Sequence, residues 1–283
     1  MKRWLLGLLA TALVIGAIAL ALAPAAGNQY RLWREAKAVG DYRDAASALD
    51  MLTCGELLAE ARQANAALGE IALRDPWDGA AAGGENAEAA LLDVAGSGAI
   101  AVLEIPKLGL TLPVYRGQSA ETLEQGVEHL QGSSLPVGGD GAHCVLAGQA
   151  GGRLSSPMDG LERLMQGDLF TLKVLRDTLT YEVEALELLA PDALGPMPVE
   201  GGMDACTLMT AVTQDGEDLR LLVRSHRVQR RAIPLEEDTQ VLPGWAARMI
   251  FAAPLVLAGL LLLALVEGFR MLAGRRKVKR LKL

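Results

Sequence analysis

Cysteine and histidine are scarce in this chain, with three of each among 283 residues. The cysteines, Cys54, Cys144 and Cys206, are odd in number and irregular in spacing, which argues against a disulfide framework. No C-x-x-C pair exists and His129, His143 and His226 are scattered, so zinc-ligand spacing is absent and no metal or cofactor is expected. No internal repeat is visible.

Two stretches lack charge altogether. Trp4 to Ala23 is 20 residues without a charge, and no charge follows until Arg31. A helix of about 20 apolar residues spans a bilayer. A cleaved signal peptide is the alternative, since "ALAPAAG" offers small residues, but its apolar region normally runs to only about 7–15 residues. Met249 to Val266 is a second uncharged run, 18 residues long and containing Pro254. The tail beyond it carries Arg270, Arg275, Arg276, Lys277, Lys279, Arg280 and Lys282. Short cationic flanks stay in the cytoplasm, and Lys2 and Arg3 place the N-terminus on the same side. The expectation is a two-span cell-membrane protein with both termini cytoplasmic and the main domain, about residues 28–243, outside.

That outer part is short of positive charge. It holds 17 of the 27 basic residues and 33 of the 34 acidic ones. Such a surface repels nucleic acid. The basic tail is accounted for by its place beside an apolar span.

The expected order of segments is an N-terminal membrane anchor at 1–27, a helical region at 28–98 ending in a connector, a β-domain at 99–232, a linker at 233–247, a membrane helix at 248–270 and a basic tail at 271–283. Residues 28–73 have apolar residues at three- and four-residue spacing in an Ala-, Leu-, Glu- and Arg-rich background, with a helix break at Gly40–Asp41. Residues 78–98 are small and Gly-rich and read as a mobile connector. From Ala99 the runs "AIAVLEI", "LTLPVY", "CVLAG", "LFTLKVL", "TLTYEVEALELL", "CTLMT" and "LRLLVRSHRV" are short and β-branched or alternating. Gly, Pro and Asp separate them, which is the pattern of an all-β barrel or sandwich. Helices are expected around "SAETLEQGVEHL" and "PMDGLERLM".

The run "TLMTAVTQDGEDLRLLVRSHRV", Thr207 to Val228, resembles the active-site strand pair of the sortases, cysteine transpeptidases of Gram-positive surfaces. The family pattern reads T-L-x-T-C, eight residues, then R. Arg220 fills the last position, but Ala211 stands in place of the nucleophilic Cys. "VLAGQAG" resembles the strand that ends in G-H-R-G, so Gln149 stands in place of the base. The family's Thr-Pro after the Cys reads Val212-Thr213. "IPKLGLTLPVYRG", "GVEHLQGSSLPVGGDGAHCVLAGQAG", "LERLMQGD" and "RLLVRSHRV" extend the resemblance to class C, pilus-building sortases along nearly all of Leu91 to Val228.

The resemblance implies a closed eight-stranded β-barrel with a membrane helix at each end. It also implies a lid. "RDPWDG" holds Asp75-Pro76-Trp77, like the Asp-Pro-aromatic lid of class C members. Carried over, Asp75 would face Arg220 and Trp77 would cover Ala211; a structural turn is the other reading of the tripeptide. Arg220 is then either a relic paired with Asp75 or a retained peptide-binding group. His129 and His226 match family histidines outside the catalytic set.

Sortase chemistry needs a thiolate to attack the sorting-signal carbonyl, an imidazole for proton transfer and an Arg for the oxyanion or substrate. A methyl group cannot attack, and an amide does not exchange protons near neutral pH. Cys206 lies five residues before Ala211, about 17 Å away on a strand and on the opposite face. Cys144 fails likewise against Gln149. Thr210 faces away, and Thr213 and Ser225 are hydroxyls with no evident base. The resemblance therefore points to a degenerate sortase that binds sorting-signal peptides or pilin subunits, beside active sortases. The alternatives are a transpeptidase with a non-standard nucleophile and an inert membrane scaffold for partner sortases.

Overall fold

The computed structural model describes residues 16, 27–68, 71–72, 75–78, 88–116, 123, 126–151, 156–194, 196–197 and 202–229. Both apolar runs and the basic tail lie outside them, apart from Gly16. Among the described residues no helix is long and apolar enough to cross a membrane.

Helix α1 covers 27–48. The structure corrects the expected break: the helix runs through Gly40–Asp41, where Lys37 pairs with Asp41 one turn on. The break falls instead at Leu49–Asp50. Asp50 caps α2 (Met51–Ala67) by accepting from the Thr53 backbone N–H at 2.9 Å. A side-chain cap outweighs one mid-helix glycine, which costs only about 1 kcal/mol.

Eight strands close a barrel, in which residues 217–227 pair with 177–189, these with 169–174, then in turn 99–105, 110–115, 127–129, 143–148 and 205–214, which pair back with 217–227. They are β2 (Ala99–Ile105), β3 (Leu110–Tyr115), β4 (Val127–His129), β5 (His143–Gly148), β6 (Leu169–Val174), β7 (Asp177–Leu189), β9 (Ala205–Gln214) and β10 (Glu217–Arg227). Two short strands, β1 (Ile71–Ala72) and β8 (Pro196–Met197), pair outside it. Neighbours are antiparallel except β3–β4 and β5–β9. Asp215 and Gly216, both with positive φ, turn β9 into β10, as a tight hairpin requires.

Two of the expected helices differ. Val127–His129 of "SAETLEQGVEHL" is strand β4, with the rest of that string mostly outside the described residues. "PMDGLERLM" contains only a 3₁₀ turn at Leu161–Arg163. The connector is also corrected in part: Glu88–Leu92 forms a 3₁₀ helix and Leu92 is fully buried.

Interior-facing Leu103, Leu146, Phe170, Tyr181, Leu208 and Val223 fill the barrel, and Phe170 stacks on Tyr181 at 5.5 Å. Outside it, α1 lays Val39 and Tyr42 on Ala99, Val102 and Tyr115. This explains why all seven residues of β2 are buried. The Tyr42 hydroxyl donates to the Ile100 carbonyl at 2.7 Å and accepts from the Leu175 N–H at 3.0 Å.

Candidate functional site

Period-2 alternation divides each strand between the barrel interior and an outer face. On the outer face β5 presents Val145 and Ala147, β9 presents Met209 and β10 presents Leu222. With Leu123 and Leu130 they form one buried apolar floor. The parallel β5–β9 register pairs Val145 with Thr207 and Ala147 with Met209. Two residues further along each chain, Gln149 comes level with Ala211. Ala211 in turn pairs with Arg220, and Arg220 with Leu189. The two positions that should carry base and nucleophile, and the Arg, thus stand side by side at one end of the floor.

The backbone of Gln149 is held from two sides. Its carbonyl accepts from the Met158 N–H at 2.9 Å and its N–H donates to the Leu123 carbonyl. Gly148 makes this possible, because a Cβ there would lie 2.9 Å from the Met158 side chain.

Asp75-Pro76-Trp77 makes a turn closed by the Asp78 N–H on the Asp75 carbonyl at 3.2 Å. Asp75 Oδ1 also accepts from the Trp77 N–H at 3.2 Å, and Pro pre-sets the second turn position. The turn is at the same time a cover. Arg220 Nε and Nη2 donate to Asp75 Oδ1 and Oδ2 at 2.9 and 2.6 Å, a two-pronged pair whose side chains are only 8% and 11% exposed. The third guanidinium nitrogen donates to the Leu219 carbonyl at 3.1 Å. Arg220 Cζ lies 5.0 Å from the Trp77 ring centroid, within cation–π range. The indole N–H donates to Gln149 Oε1 at 2.9 Å. The indole thus bridges Gln149 on one side and Arg220 on the other.

The remaining candidates are not brought to this row. Cys144 and Cys206 are buried in the interior and Cys54 on α2. The Ser225 hydroxyl donates to the Cys206 carbonyl and the Thr213 hydroxyl to Asp218 at 3.1 Å. Thr210 is buried and its hydroxyl has no partner among the described residues. His129 Nε2 is bonded to the Ser134 carbonyl at 2.9 Å and His143 Nε2 to the Thr207 hydroxyl at 2.8 Å. Burial pushes both imidazoles down to about 4, so they are neutral at pH 7. His226 lies out towards Glu184 at 3.9 Å. A cavity of about 350 Å³ lies elsewhere, between Asn65 and Leu68 of the α2 end and Gln131–Leu135. No cluster able to hold a metal occurs among the described residues.

Sequence reasoning placed Asp75, Trp77, Ala211 and Arg220 together by resemblance but missed the Trp77–Gln149 bond. An amide is a better fixed acceptor for an indole N–H than a titrating ring, and that was the available signal.

A family model described as the sortase domain matches residues 103–228. The structure is similar to that of sortase C of Streptococcus pneumoniae, with 30% identity, a TM-score of 0.64, and coverage of 69% of this chain and 98% of that one. It is also similar to a pilus-related sortase C of Group B Streptococcus, at 32% identity and TM-score 0.60, covering 67% and 96% of the two chains. Sortase C1 of pilus island 1 from the same group matches at 28% identity and TM-score 0.62, covering 72% and 97%. No curated protein matches. With strand pattern, barrel closure and these likenesses in agreement, the chain belongs to the sortase family, and its solved neighbours are class C, pilus-type members.

Proposed function

We propose that this protein is a membrane-anchored class C pseudo-sortase, which recognises sorting signals or pilin subunits at the cell surface without transferring them. One observation carries the reading. The Gln149–Ala211–Arg220 row keeps the cation and the apolar floor of a peptide site while offering neither a thiol nor a proton-transferring group. Loss of a nucleophile from a catalytic unit costs about six orders of magnitude in serine proteases, and a similar loss is expected here. Arg220 and the floor would engage a peptide only after the Asp75–Trp77 segment lifts. The anchor at 1–27 and the helix at 248–270 would hold the domain outside, with both termini cytoplasmic.

The test uses the full-length chain in detergent with Leu-Pro-x-Thr-Gly peptides. No turnover and no covalent adduct by intact mass are expected, with or without Asp75→Ala and Trp77→Ala. A trapped acyl-enzyme would instead support a relocated nucleophile. In the Asp75→Ala and Trp77→Ala background, Ala211→Cys with Gln149→His should then acquire a peptide adduct on the new thiol. Full rates are not expected, because misplacement by about 1 Å can cost roughly a hundredfold.

A second reading, the inert scaffold, is favoured by the closed contacts, since every guanidinium nitrogen of Arg220 is engaged. Peptide titration separates the two: saturable binding that Arg220→Ala weakens belongs to the binder, and none at millimolar peptide to the scaffold. For topology, terminal tags should resist external protease in intact protoplasts.

A further inference from the structure

The barrel interior holds a feature that the sortase reading does not use. Cys144 on β5 and Cys206 on β9 are register partners across a parallel strand pair. Parallel partners point to the same face, and both side chains enter the same interior cluster, with only 2% and 0% exposure. Adjacent strands lie about 4.8 Å apart, inside the roughly 4.4–6.8 Å Cα separation that a cystine spans. Each thiol is therefore the other's neighbour across the strand pair. The odd cysteine count, which argued against a disulfide framework, hides this pair because Cys54 on α2 has no cysteine opposite it across a strand.

We propose that Cys144 and Cys206 are a modification site: they form a disulfide that staples β5 to β9 inside the barrel. The step is thiol–disulfide exchange with an external disulfide, either a small one such as oxidised glutathione or that of a dithiol oxidoreductase. One cysteine thiolate attacks the external disulfide and releases one thiolate. The second cysteine thiolate attacks the mixed disulfide and releases the other. The protein gives up two protons and two electrons, and the external disulfide is reduced to two thiols.

The folded barrel disfavours this exchange, because burial, and then Cys144, push the Cys206 thiol well above its ordinary range. The bond therefore forms while the chain folds, before the two strands close. Once made, it encloses β6, β7 and β8, a long loop, for which the chain-entropy effect is large. Its position also bears on the site. Gln149 stands five residues beyond Cys144, and Ala211 five beyond Cys206. The staple fixes the spacing of the two strands that carry them. It holds whether or not the groove binds a peptide, and needs the outer location only for its oxidant in the cell.

The full-length chain is unfolded with reductant and refolded in a glutathione buffer rich in the oxidised form. It is then denatured with an alkylating reagent and weighed intact. One alkyl group is expected without reductant, on Cys54, and three after reduction, with peptide mapping joining the Cys144 and Cys206 peptides. The oxidised form should melt about 5–10 °C above the reduced form. Cys206→Val should abolish that difference and Cys54→Ser should leave it. Three alkyl groups on the refolded, unreduced chain, a cystine that includes Cys54, or equal melting of the two forms would each overturn the staple.

Discussion

The two faces of β5 and β9 are held by different physics. Inward, Cys144, Leu146, Cys206 and Leu208 meet Phe170, Tyr181 and Val223 in a packed apolar interior. Outward, Val145, Ala147 and Met209 form a floor that ends in Gln149, Ala211 and Arg220, where the fixed contacts are an ion pair, a cation–π contact and one hydrogen bond. Alternation keeps the two sets apart. A catalytic position can therefore be lost on the outer face while the inner packing that defines the barrel is untouched.

The sharpest test of that separation is Phe170→Ala, which removes a fully buried ring from the inner face. A loss of about 3–5 kcal/mol is expected in denaturant melts, with Asp75–Arg220 contacts unchanged until unfolding. A loss under 1 kcal/mol would mean that the interior does not dominate stability. Next comes Arg220→Ala on the outer face. It leaves the Asp75 carboxylate buried and unpaired, and about 3 kcal/mol should go, much of it regained when Asp75→Ala is added. Additive single effects in that cycle would mean the pair is not coupled.

Acid compares the faces directly, because His129 lies inward of β4 and His143 outward on β5. Both have folded values depressed from 6.5 to about 4. Their neutral forms stabilise the fold fully above pH 6.5, and that contribution, on the order of 3 kcal/mol each, is lost as pH falls towards 4. His129→Gln and His143→Gln should each flatten the melting profile across this window; an unchanged slope would show that the imidazoles already charge in the native state. The smallest effect belongs to Gln149→Ala. Losing the indole acceptor should weaken closure by about 1 kcal/mol, read as roughly fivefold faster amide exchange at Asp75, Trp77 and Asp78. Faster exchange throughout the barrel instead would tie the outer face to the inner one.

Strands β2 and β3 were legible in the sequence to the residue, because β-branched runs end there at Pro106-Lys107 and Arg116. Strand β4 was not: Leu123, Val127 and Leu130 also fit a helical spacing, and three residues are too few to show alternation. Gly40 looked like a break because propensity is local, whereas α1 is held by Val39 and Tyr42 packing on the barrel. Within the site, Ala211 and Arg220 were readable from one hairpin. The Trp77–Gln149 bond joins residues 72 apart in sequence and depends on the orientation of a ring, which no spacing encodes. The facing cysteines were hidden for a related reason, since pairing Cys144 with Cys206 requires knowing that β5 and β9 are neighbours.

The small β1–β8 ladder sets the terms on which anything could enter the groove. It fastens the chain at Ala72, three residues before Asp75. If the groove binds a peptide as proposed, Trp77 would be a competitor that cannot diffuse away, its local concentration staying high however far the turn lifts. An incoming peptide would be measured against that resident. If the lifted state is about 1% populated, the apparent affinity falls about a hundredfold below that of the bare groove. A partner that also gripped the lifted segment would restore the difference, so the tether would favour recognition of a folded pilin or a second protein over a short free peptide.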